Sequence, residues 1–161
     1  MNKKWMRACW IIVAIAWMAL IFSFSHTEGT ESQQQSTIVT TIVTEIIGIE
    51  PTHNDFLRVE FTVRKVAHLC MFAVLGFIYC GYFDCYKTSV KKKYLFSCCA
   101  TAIYAVLDEV HQYFVPDRAA RLYDVAIDTL GGALGAAGFL LLSLIITKII
   151  ERYKTKKGIM G

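Results

Sequence analysis

Apolar positions along the chain gather into four runs separated by polar segments: about Trp5–Phe24, Val66–Phe83, Tyr94–Leu107 and Val125–Thr147. A helix needs roughly 20 mostly apolar residues to cross a bilayer. The third run is short for that unless it continues past Asp108 to residue 110, giving expected spans of about 5–24, 66–83, 94–110 and 125–147. Between the first two runs, Ile38, Val39, Ile42, Val43, Ile46 and Ile47 recur in pairs every four residues, which is helical spacing. Ser32 followed three residues later by Gln35 matches a capping box, and Gly48 and Pro51 close the pattern. A short amphipathic helix within about Gln33–Ile47 is expected, lying on the outer surface or capping the bundle. The Thr/Val/Ile richness leaves a strand or hairpin as the alternative. The pattern predicts an all-α membrane protein: a four-helix transmembrane bundle with a short amphipathic helix in the outer loop, one domain over residues 1–161.

Composition agrees. The 161 residues are 55% hydrophobic and only 19% charged, with a mean hydropathy of +0.44. A water-soluble domain of this size carries more charge, so the excess apolar surface reads as lipid-facing. Lys3, Lys4 and Arg7 before the first run resemble a signal-peptide start. The run is long for a signal segment, however, and Ser23-Phe24-Ser25-His26 is a poor cleavage site, so a retained helix is expected.

The net charge of +4 matters less than its placement. Twelve of the seventeen Lys and Arg residues fall before the first run, between the second and third, or after the fourth, while eleven of the thirteen acids fall on the other side. The positive-inside rule then predicts a multi-pass protein of the cell membrane with both termini cytoplasmic. Lys91–Lys93 anchor to anionic inner-leaflet lipid on this reading, and no nucleic-acid partner is required. Five of the six cysteines fall inside the runs and Cys85 at a cytoplasmic end, which argues for small apolar packing residues instead of a disulfide framework. Gly131 and Gly135, with Ala133, Ala136, Ala137 and Gly138 nearby, form a small-residue stripe suited to close helix packing.

Charged groups set against membrane spans are costly and default to a functional or mutually paired role. Here they converge. The first run ends in Ser23, Ser25 and His26; the second begins with Arg64, Lys65 and His68. The third ends in Asp108, Glu109, His111 and Gln112, and the fourth follows Arg118, Arg121 and Asp124 and contains Asp128. Every span delivers polar groups to one boundary, and no comparable set appears at the other. The expectation is a single pocket near the outer boundary, in which the deeply placed Asp128 depends on Arg64 or another cation.

Three stretches then carry a resemblance. Arg64-Lys65-Val66-Ala67-His68, the run from Asp108 through Arg118, and Asp124–Gly132 resemble, in order, the motifs of the VanZ-like family, as does Phe22-Ser23-Phe24-Ser25. The resemblance covers almost the whole chain. Members often carry Glu-Tyr where this chain has Met71-Phe72, so no role passes to that pair. The founding member is associated with resistance to teicoplanin, a lipid-tailed glycopeptide. The resemblance implies a membrane protein of the cell envelope, and it supplies no reaction.

Several chemistries fit the constellation. Asp108, Glu109, Asp124, Asp128, His68 and His111 are oxygen and nitrogen donors suited to a divalent cation. Their spacing matches no established metal motif, so no cofactor is expected and a divalent cation stays open. Two acids across a pocket can perform acid–base work on a lipid phosphate or amide, with Arg64, Lys65, Arg118 and Arg121 holding the anion. Ser23 or Ser25 as nucleophile needs His26 or His68 as base. Tyr104, one turn before Asp108, can hydrogen-bond into the cluster or serve as an interfacial aromatic. The structural alternative is that Arg118 or Arg121 pairs with Asp124 or Asp128 and staples helix ends. The leading function is non-catalytic: Arg64, Lys65, His68, Gln112, Arg118 and Arg121 bind an envelope lipid headgroup or lipid-tailed glycopeptide at the outer leaflet. The alternative is an intramembrane hydrolase or transferase, with a proton-coupled transporter a distant third.

Overall fold

The structure is a computed structural model and describes residues 3–26, 29–48, 53–116 and 121–156; for residues 29–36, 47, 53 and 54 it describes the backbone alone. Five helices account for it: α1 (Lys3–His26), α2 (Gly29–Ile47), α3 (His53–Asp84), α4 (Val90–Tyr113) and α5 (Leu122–Lys156). There is no strand among the described residues, so the β alternative for Ile38–Ile47 falls away. Gly48 ends α2 with φ of 71°, a left-handed conformation that favours glycine, and its N–H reaches the Glu45 carbonyl at 3.2 Å. Ser89 caps α4 by accepting from the Lys92 N–H. Pro51 lies outside the described residues, and so do the side chains of the expected capping box at Ser32–Gln35.

Among the described residues, three helices are long and apolar enough to cross a membrane: α1, the Asp55–Asp84 part of α3, and α5. The expectation of four is met in part. In α4 the apolar stretch is bounded by Lys91–Lys93 and interrupted by Asp108 and Glu109, which lowers its hydropathy below that of the others. Two helices also outrun the apolar segments within them. α3 starts thirteen residues before Val66 and α5 ends nine after Thr147. Charge stops a hydropathy pattern without stopping a helix.

α3 is the hub, packed against each of the other four helices. Its register with α5 is parallel, since Lys65, Leu69 and Ala73 meet Asp124, Gly131 and Gly135 in turn. α1 and α4 run antiparallel to α3 and parallel to each other, as Tyr104 donating to the Met18 carbonyl at 2.6 Å and Ser25 donating to Asp108 at 2.9 Å require. The close α3–α5 approach depends on glycine. A Cβ at Gly135 would collide with the Ala73 carbonyl, and one at Gly132 with the Thr101 side chain of α4. The small-residue stripe is therefore a packing face, although a Cβ at Gly138 would meet nothing within 4 Å. Ile21, Phe72, Leu75 and Ala105 form the buried apolar centre.

The basic end is stitched separately. Arg7 donates to the Cys85 carbonyl at 3.2 Å and lies over the Tyr86 ring, while Lys93 pairs with Asp84 at 2.6 Å. All six cysteines are free; Cys80 and Cys85 are buried as packing residues, but Cys9, Cys70 and Cys99 are exposed on the outside of the bundle.

α2 is oriented by its threonines. Thr40 and Thr44 are buried, and Thr37 donates to the buried Glu60 of α3 at 3.1 Å. The aliphatic side chains Ile38, Val39, Ile42 and Ile46 are exposed. The amphipathic helix therefore docks by its small polar face and turns its greasy face outward.

Candidate functional site

The four bundle helices bring their polar groups to one end. α1 ends there, α4 ends there, α5 begins there, and α3 passes through after its charged first turns. Where side chains meet is set by the parallel and antiparallel registers, which bring Ser25 to Asp108, Lys65 to Asp124 and His68 to Asp128.

A cavity of about 210 Å³ opens among them, with Arg64, Lys65, His68, Arg121, Asp124 and Asp128 on its wall. Glu109 and Gln112 also contribute, as do two residues the sequence reading passed over, Phe61 and Ile127. Phe61 sits one turn before Lys65, whose ammonium lies 5.2 Å from its ring centre, so helical spacing from a known site residue was the available signal.

The carboxylates differ sharply in their company. Asp124 forms an ion pair and hydrogen bond with Lys65. Glu109, 5% exposed, accepts the backbone N–H of Arg121 at 2.8 Å, which ties the end of α4 to the start of α5. Asp108 accepts from Ser25 at 2.9 Å and from Gln112 at 2.8 Å, both on Oδ2. Its Oδ1 is buried without a hydrogen-bond partner among the described residues. Asp128 is fully buried, and among the described residues both its oxygens lack a hydrogen-bond partner; His68 Nδ1 stands 3.6 Å from Oδ2, just beyond bonding distance. Donor atoms of His68, Asp108 and Asp128 lie within 4.8 Å of one another.

These facts correct several expectations. Asp128 faces His68, and Arg64 lines the same cavity. Asp124 pairs with Lys65, and Arg121 engages Glu109 through its backbone instead of stapling Asp124 or Asp128. Arg118 lies outside the described residues. Ser23 is exposed and turns its hydroxyl to the Ala19 carbonyl, and Ser25 contacts a carboxylate with no histidine base, so neither is set up as a nucleophile. Tyr104 donates to the Met18 carbonyl, not into the acidic cluster. His111 belongs to an exposed stack with Phe22 and His26, its Nε2 3.3 Å from His26 Nδ1. Of the Met71-Phe72 pair, Phe72 is buried core beside His68 and Tyr104, while the Met71 carbonyl accepts from the Trp17 indole at 2.9 Å.

Compared with known families, the chain matches the model described as VanZ/LLP1 over residues 10–145. No curated protein and no solved structure matches it.

Proposed function

The chain belongs to the VanZ-like family, and on that footing we propose that it binds the polar headgroup of an envelope lipid, or of a lipid-tailed glycopeptide such as teicoplanin, at the outer leaflet. In this reading α4 is a fourth crossing. Its side chains follow α3 from Lys93 beside Asp84 to Tyr104 beside Phe72, which supports that reading. Both termini are cytoplasmic, following the basic asymmetry. The exposed aliphatic face of α2 rests in the outer interface, where lipid covers it.

The observation that carries the proposal is the cavity wall. Arg64, Lys65 and Arg121 offer three cations around a space of about 210 Å³, enough for a headgroup fragment. Arginine suits a phosphate or carboxylate because its fork of N–H groups can engage two oxygens at once. Lys65 is held by Asp124, which fixes its position on the cavity wall. An acyl tail would lie outward along the apolar helix faces.

A second reading rests on Asp128. A fully buried carboxyl with no hydrogen-bond partner among the described residues, beside a cavity, is suited to proton transfer in an intramembrane hydrolase or transferase. Lipid profiling of membranes with and without the protein separates the two, with Asp128→Asn alongside. The binding role predicts unchanged lipid species, and teicoplanin tolerance that Arg64→Ala and Arg121→Ala abolish. A lipid species that appears with the wild-type chain and disappears with Asp128→Asn would replace the binding role with the enzyme.

A further inference from the structure

The hydrogen-bond pattern around Asp108 and Asp128 asks for a partner that none of the described side chains supplies. Three buried carboxylate oxygens, Asp108 Oδ1 and both of Asp128, have none. Burying a carboxylate without compensation is among the most costly arrangements in a protein.

We infer that His68, Asp108 and Asp128 form the binding site of one divalent transition-metal cation, of the Mn²⁺ or Zn²⁺ class, beside the cavity. The donor atoms lie within 4.8 Å of one another. Ligand atoms about 2.0–2.2 Å from one ion stand about 3.4 Å apart in a tetrahedral site and about 4.4 Å apart only when opposite, so the cluster closes on an ion by side-chain rotations of about an ångström. Charge closes too: two carboxylates and a neutral imidazole balance a dication. The imidazole selects a transition metal over Mg²⁺ or Ca²⁺, which prefer all-oxygen sites.

The surroundings match a ligand shell. Ser25 and Gln112 both donate to Asp108 Oδ2, which orients the carboxylate and leaves Oδ1 for the ion. The ring of His68 lies near-parallel to that of Phe72, with centroids 6.4 Å apart. Three protein ligands leave coordination positions, and His68 and Asp128 both line the cavity, so an anionic group entering there could reach the ion. The inference needs only the cluster, and it stands whether or not a lipid headgroup is the occupant.

The test uses the full chain, stripped with chelator and reconstituted in nanodiscs of phosphatidylcholine, titrated with MnCl₂ and read by electron paramagnetic resonance. Mn²⁺ is indifferent to the six free thiols, which Zn²⁺ would also engage. The expected result is uptake of a single equivalent, displaced by Zn²⁺, with a nitrogen coupling in the pulsed spectrum that His68→Gln removes. Asp108→Asn and Asp128→Asn should each weaken uptake by roughly tenfold or more. No uptake beyond that of empty nanodiscs would overturn the site, as would uptake that both asparagine variants leave unchanged. If those variants do not fold, as judged by circular dichroism, the nitrogen coupling decides alone: present in wild type and lost in His68→Gln supports the site, and absent in wild type rejects it.

Discussion

Ser25, one residue from the end of α1, donates its hydroxyl to Asp108 of α4 across 2.9 Å, and both side chains are buried. This bond fixes the α1–α4 register at the polar end, and Gln112 reinforces it from the next turn of α4. A bond to a carboxylate is worth roughly 1.5–3 kcal/mol when removal leaves the partner buried. Ser25→Ala should therefore lower the denaturation midpoint in detergent, and less so in an Asp108→Asn background. Additive losses in that double-mutant cycle would remove the pair as a determinant.

Gly135 and Gly138 are separated by one turn of α5 yet should respond oppositely to alanine. A Cβ at Gly135 meets backbone of α3, which cannot turn aside as a side chain does, so Gly135→Ala should cost about 1–3 kcal/mol. Gly138 faces open space, and Gly138→Ala should be neutral or add up to about 1 kcal/mol through helix propensity. Unfolding in mixed micelles compares the two directly.

Lys65 and Asp124 are mostly shielded, with side chains 19% and 12% exposed. Their pair falls between surface pairs and buried ones, so Lys65→Met should destabilise by between roughly 1 and 3 kcal/mol. The charge-reversed double variant Lys65→Asp/Asp124→Lys should recover part of that loss. If it is worse than either single change, the surrounding field of Arg64 and Arg121 sets the polarity of the pair.

Topology is open to labelling after the six cysteines are replaced. With α4 as a crossing, Lys92→Cys and Leu122→Cys should react with an impermeant maleimide from opposite sides, and Glu45→Cys should react from the same side as Leu122→Cys. Both Lys92 and Leu122 are exposed, so labelling reads sidedness and not burial. Equal reactivity of Lys92→Cys and Leu122→Cys from one side would reduce the chain to three crossings.

The outward face of α2 predicts lipid contact. A photo-crosslinking diazirine side chain at Ile42 or Ile46, which are 51% and 79% exposed, should yield lipid adducts in proteoliposomes. Adducts only to water or to protein would contradict an interfacial placement of this helix.

Much of the architecture was legible in the chain because it depends on local chemistry. Apolar runs mark the helices, basic residues cluster at one end, and the paired Ile and Val positions with Gly48 mark α2 and its stop. The polar end could also be located, since a charge beside an apolar run is expensive wherever the helix goes. α3 and α5 run past their apolar segments because hydropathy measures affinity for lipid, while helix continuation depends on backbone hydrogen bonds that Arg58 or Arg152 do not interrupt.

Partnership was decided by the tertiary structure. Which acid receives Lys65, which faces His68 and which is held by Ser25 depends on helix register and azimuth, and those follow from glycine contacts such as Gly135 against Ala73 and Gly132 against Thr101. The same cause leaves Asp128 without a hydrogen bond among the described residues and sends Tyr104 to Met18. Sequence assigns each charge to an end of the bundle because the cost of burial acts on one residue at a time. Pairing is a property of two helices at a fixed distance and rotation, and only their packing sets it.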